Sequence, residues 1–233
     1  MSGFQEYLSF AKLHPDLFVN PPTGGFTIIL DEDEIREIEA FMAQKLSMRG
    51  LPASLAQVGI VYEDQYGRIL RDAVHFPDGS PGTYIRFVSR AVGVPGVVIL
   101  PMYQGNILLL RRFHHATRRW HLEIPAGAGS AQLTGEEAAR QLLLRDIEAI
   151  TGSLVPLGRL DVGPGMAADG AELFYARLAS YGQGNRREGI TEVLCLDLPA
   201  FERMIRENEI NDGFTIAAYL HAKLQGLFEQ TEQ

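Results

Sequence analysis

Glu123-Ile-Pro-Ala-Gly127, followed after a gap by Arg145-Asp-Ile-Glu-Ala-Ile-Thr-Gly152, is the stretch on which the reading of this chain turns. Glu123 alternates with apolar Leu122 and Ile124, so a strand over Trp120 to Ile124 points it away from the side those two occupy. The pattern from about Glu136 to Ile150 predicts a helix, and residues i, i+3 and i+4 of a helix share one face. That face reads Leu142, Asp146, Ala149, Ile150. A single carboxylate stands on a stripe whose other members favour packing.

Outward from this stretch, strand and helix signals alternate. Strands are expected over Gly96 to Met102, Ile107 to Arg111, Leu154 to Asp161, Glu172 to Leu178 and Ile190 to Leu196. Helices are expected from Pro199 to Arg206 and from Asp212 to Leu224. Mixed strands with a few interposed helices give an α/β sandwich, with helices covering both faces of a mixed β-sheet over residues 91–233. Residues 58–90 read as a small β subdomain, with strands over Val58 to Glu63, Ile69 to Phe76 and Thr83 to Ser89 separated by turn signals at Gln65-Tyr-Gly67 and Pro77-Asp-Gly79. Residues 1–57 read as an N-terminal helical extension. Phe4, Leu8, Phe10, Ala11 and Leu13 mark a short helix closed by His14-Pro15. The acids Asp31 to Glu34 open a second helix with the stripe Ile35, Ile38, Phe41, Met42, Leu46.

The 233 residues suffice for a full core, in one main domain with an elaboration. A formal charge of −8 with no Lys/Arg block speaks against a nucleic-acid partner, because phosphate neutralisation needs clustered cations. The lone Cys195 forms no internal disulfide, and its strand reads as buried. No segment approaches the roughly 20 apolar residues of a membrane span. A cytoplasmic protein without membrane association is the expectation.

The opening stretch resembles the Nudix pattern, Gly-x5-Glu-x7-Arg-Glu-(apolar)-x-Glu-Glu-x-Gly-(apolar). Arg145, Ile147 and Gly152 fit its spacing, Asp146 takes the first helical glutamate position, and Ala149 and Ile150 take the paired glutamate positions. The loop is longer than the pattern's, with 17 residues between Gly127 and Arg145 in place of 13. From about Val58 to Leu224 the chain is similar to the ADP-ribose pyrophosphatase branch. Arg71 to Gly79, Pro164 to Asp169 through Leu173-Phe174, and Asn208 to Thr215 carry the further likeness. The resemblance implies a Nudix αβα sandwich, a homodimer built partly by exchanged N-terminal strands, and a nucleoside diphosphate linked to another group as substrate, ADP-ribose above all. It also implies magnesium and attack of water on phosphorus.

Carried over residue by residue, the resemblance makes Asp146, the carbonyl of Ala126 and Glu137 the candidate metal ligands. Glu137 keeps the spacing to Arg145, yet beside Thr134 it is equally a helix-start acid. Asp146 and Asp169 are the candidate catalytic residues, Asp169 standing where the branch places a loop carboxylate assigned to the base. It is equally a turn aspartate before Gly170. Arg112, Arg119 and Glu123 are the candidates for substrate binding, the arginines because guanidinium groups match phosphate oxygens. Trp120 reads as core, and His114 and His115 as loop residues. Neither Ala149 nor Ile150 binds a cation, so the expectation is a hydrolase with weak or lost activity on an ADP-ribose-type substrate, magnesium being required if it is active. The alternative is an inactive protein that binds such a nucleotide as a sensor or scaffold. Restoring Ala149→Glu and Ile150→Glu is expected to create activity if the rest of the site is intact.

Overall fold

Apolar side chains at helical spacing bury one face each of α1 (Gly3–Leu13) and α2 (Glu32–Met48), the latter capped by Asp31, whose side chain accepts from the Asp33 and Glu34 amides. The computed structural model describes residues 3–228 and falls into two compact units. The first lies within Met1–Val92 and Gly163–Asp169, the second within Gly93–Val162 and Gly170–Gln233.

In the first unit, β3 (Gly67–His75) is central. It pairs along its length with β4 (Pro81–Ser89), and on its other edge with β2 (Gly59–Glu63) and with β1 (Thr27–Ile29), a strand missing from the sequence reading. Tyr7 and Phe10 from α1, Ile35 and Ile38 from α2, and Leu70, Ala73 and Val88 from the sheet share one core, so helices from the first 57 residues and the strands that follow them are packed together. Asp72 is buried within it, accepting 2.7 Å bonds from the Tyr7 hydroxyl and from Arg86 Nε. A buried carboxylate needs such partners. Burial, reinforced by Asp72, raises the Tyr7 phenol well above its ordinary value.

In the second unit a mixed sheet runs in the order β11 (Ile190–Leu196), β6 (Asn106–His114), β5 (Gly96–Tyr103), β10 (Gly170–Ser180), β9 (Ile150–Asp161). β10 is parallel to β5, and the other pairs are antiparallel. β7 (Arg119–Glu123) extends β6, and the short β8 (Ala126–Gly127) lies on β5. Because successive strand residues face opposite sides, Val98, Leu100, Ile107 and Leu109 pack under α4 (Leu198–Arg206) and α5 (Gly213–Leu224). Val97, Ile99, Leu108 and Leu110 pack under α3 (Gly135–Ile147). The result is the expected αβα layering of a mixed sheet.

Two burial expectations fail. Leu194 and Leu196 pack on the α4/α5 core while Cys195, between them, points the other way and is exposed. Trp120 is 48% exposed, since it sits near the free end of the β6–β7 hairpin, with the Phe113 ring 5.4 Å away and the Arg111 guanidinium 5.2 Å above it. Among the described residues, no helix is long and apolar enough to cross a membrane.

Candidate functional site

The β6–β7 ladder pairs Leu110 with Glu123, Arg112 with His121 and His114 with Arg119. Paired residues two apart lie on one face, here the face turned to α3, where Leu110 joins the core. Strand alternation thus brings together Arg112, Glu123 and Arg119, all three named from sequence, and adds His114 and His121.

The last turn of α3 meets this ladder. Asp146 is fully buried, with Glu123 5% and Arg112 9% exposed. Arg112 donates from Nη1 to Glu123 Oε1 at 3.1 Å and from Nη2 to Asp146 Oδ2 at 2.6 Å. Arg145 donates from Nε to the remaining oxygen, Asp146 Oδ1, at 2.7 Å. His114 Nε2 lies 2.6 Å from Glu123 Oε2. Burial opposes the Arg145 charge, but the hydrogen bond and charge of Asp146 outweigh it and raise the guanidinium pKa above its ordinary value. Arg145 also approaches the end of β8: a Cβ on Gly127 would lie 3.8 Å from Arg145 Nη2.

The helix carrying Asp146 ends sooner than the sequence pattern suggests. Glu148 takes the left-handed conformation at φ 51°, and Ala149 N–H turns back to the Leu143 carbonyl at 3.2 Å. The amides of Gly182 and Asn185 cap the carbonyls of Ile147 and Asp146, and the Asn185 side chain donates to the Arg145 carbonyl. Ala149 is consequently buried in the core under α3, and Ile150 opens β9 opposite Ser180 with 61% of its surface exposed. The expectation that residues 146, 149 and 150 share a helix face is therefore corrected, because the last two are not on the helix.

No family model matches the chain, and no curated protein matches it. Among solved structures it is similar to an ADP compounds hydrolase, with a TM-score of 0.65 over 75% of this chain and 94% of that one at 16% identity. The fold is Nudix-like. At that identity the likeness concerns the fold, and the chemistry has to be read from the side chains.

The residues of this Nudix-like fold do not fit magnesium, a hard ion that takes about six oxygen ligands. Both oxygens of Asp146 are held by guanidinium groups, whose positive charges oppose a cation at the same carboxylate. Glu137 sits nine residues earlier on α3, which at about 1.5 Å and 100° per residue places it roughly 13 Å away along the axis and on the opposite face. Its carboxylate instead closes a capping box with Thr134, accepting from the Thr134 amide at 2.8 Å, and this bond holds its pKa below the usual range. Ala126 lies in β8 opposite Val98. Asp169 belongs to the first unit, where its Oδ2 accepts from the Ser89 amide at 2.9 Å. A cavity of about 250 Å³, lined by Val97, Ser130, Gly135 and Glu172 among others, opens at the N-terminal end of α3, the end remote from Asp146. Among the described residues, no three His, Cys, Asp or Glu side chains form a group able to hold a metal ion.

Proposed function

We propose that this chain is a Nudix-fold protein that binds a nucleoside diphosphate linked to a further group, of the ADP-ribose type, and does not hydrolyse it. One observation carries the reading. The surviving carboxylate of the motif, Asp146, is buried with a guanidinium on each oxygen. Hydrolysis of a diphosphate on this pattern needs carboxylates free to hold a cation, which neutralises the phosphates and activates the attacking water. Glu123 does not replace Asp146, because its own oxygens are engaged by Arg112 and His114.

What the ladder supplies instead is recognition. Buried carboxylates fix Arg112 and Arg145 in position, and the exposed Arg119 stands on the same face. Fixed guanidinium groups suit phosphate oxygens. Assembly as a homodimer through residues 58–90 belongs to the same proposal and is read by light scattering.

Isothermal titration with ADP-ribose in magnesium buffer, with AMP assayed in the same samples, tests the reading. Binding without AMP release is the expected result. Metal-dependent release at ordinary enzyme rates, about 1–10³ per second, would remove the non-hydrolytic reading. Failure to bind would remove the ligand class.

A further inference from the structure

In the charge network of α3, β6 and β7, every carboxylate oxygen already has a partner. Asp146 accepts from Arg112 and Arg145, and Glu123 is bonded to Arg112 and His114. The capacity left over belongs to donors. Arg112 Nε is buried and has no acceptor among the described residues, although the side chain is nine-tenths buried and both its other nitrogens are engaged. A buried donor of this kind calls for an acceptor, not a cation. Arg145 uses Nε on Asp146 and is half-exposed, its Nη2 meeting only the Glu188 carboxylate, at 3.9 Å, among the described residues. Arg119 is exposed and makes no ion pair among the described residues.

We infer that guanidinium groups stand in this site where a divalent cation would stand in a metal-dependent diphosphate site, so that the phosphates are captured directly and without metal. The inference rests on the ligand class proposed above. Asp146 and Glu123 then act as positioning residues: they bind no metal ion but hold arginines, and the arginines present their remaining N–H donors. A phosphate oxygen meets planar, forked donors already held in place, which lowers the ordering cost of binding. A divalent cation is excluded from Asp146 by the guanidinium groups 2.6 and 2.7 Å from its oxygens. Added magnesium then acts on the free ligand, complexing its phosphates and competing with the protein.

The test is calorimetric titration of the full chain with ADP-ribose and with inorganic pyrophosphate, once in EDTA and once in excess magnesium. Binding in EDTA that weakens in magnesium is expected. Arg145→Gln removes a half-exposed side chain, so it should fold, and a melting curve checks this; its affinity in EDTA should fall roughly tenfold or more. Arg145→Lys, which keeps charge but loses the fork, should recover only part of that loss. Arg119→Gln serves as the second variant, on an exposed position. Binding that requires magnesium overturns the inference and leaves the ligand class standing. Wild-type affinity in both glutamine variants also overturns it. Absence of binding in both buffers removes the inference and the proposed ligand together, and AMP release in magnesium removes the inference and the non-hydrolytic reading.

Discussion

Asp146→Ala separates a metal-holding carboxylate from an arginine-holding one by the sign of its effect on stability. In the wild type, Asp146 compensates Arg112, whose side chain is 10% exposed, and Arg145, whose side chain is 50% exposed. Removing one partner of a buried ion pair costs about 3–5 kcal/mol, chiefly by leaving the other charge buried. Two features place this case near the lower end. Glu123 remains on Arg112, and Arg145 recovers solvent, so its side of the network counts as a surface pair at about 0–1 kcal/mol. A loss of about 3 kcal/mol, at roughly 2–4 °C per kcal/mol for a chain of this size, lowers the melting temperature by about 6–12 °C. Asp146→Asn keeps an acceptor and the shape but loses the charge, so a smaller loss of about 1.5–3 kcal/mol is expected. Urea unfolding and thermal melting in EDTA measure both. A carboxylate set aside for magnesium behaves in the opposite way, since in metal-free buffer its removal relieves repulsion and leaves stability equal or higher. A site saturated at a hundredfold excess of ion over its Kd would also stabilise the wild type by about 2.7 kcal/mol. A melting temperature that rises in Asp146→Ala, or one that rises with added magnesium in the wild type, refutes the reasoning.

The double variant Ala149→Glu, Ile150→Glu, which the helical pattern alone would credit with restored activity, should release no AMP, because residue 149 is buried beneath α3 and residue 150 lies on β9. The single Ala149→Glu should lower the urea midpoint sharply, as it buries an unpaired carboxylate; AMP release from the double variant would refute the local geometry. In the first unit, burial and Asp72 raise the Tyr7 phenol above its unfolded value of 10.0, so its contribution to stability is complete below about pH 10 and declines above it, as only the unfolded phenol ionises. Comparing urea midpoints of wild type and Tyr7→Phe from pH 8 to 11 reads this directly, and parallel curves would show that Tyr7 is not the group responsible.

The layers of the fold were legible because each depends on a local period. Alternation along β5 and β6 separates the two faces of the sheet, and the stripes of α1 and α2 follow from spacing alone. The end of α3 was not legible, because it is set from outside the helix. Glu148 carries no glycine signal for its left-handed turn, and the donors that cap the last carbonyls come from Gly182 and Asn185. β1 has only three residues, and its pairing with β3 is a long-range match. His114 and His121 join the site face through the register of the β6–β7 hairpin, whose turn contains Arg118 at a positive φ of 55°. No composition signal fixes that register in advance.

The same distinction governs the reading of function. A metal motif is read along one helix, where missing glutamates suggest a site with fewer ligands. Whether a remaining carboxylate is available to a cation is decided across the gap between helix and sheet, by the residue that faces it. For Asp146 that residue is Arg112, 34 positions away in sequence and 2.6 Å away in space. With Arg145 on the other oxygen, Asp146 is better described as the anchor of two guanidinium groups than as the remnant of a magnesium site. On the proposed reading a ligand meets guanidinium donors and no metal ion, although the chain as a whole carries −8. Net charge argued against an extended polyanion as partner, and it left open a small one held by a few arginines placed on one strand face.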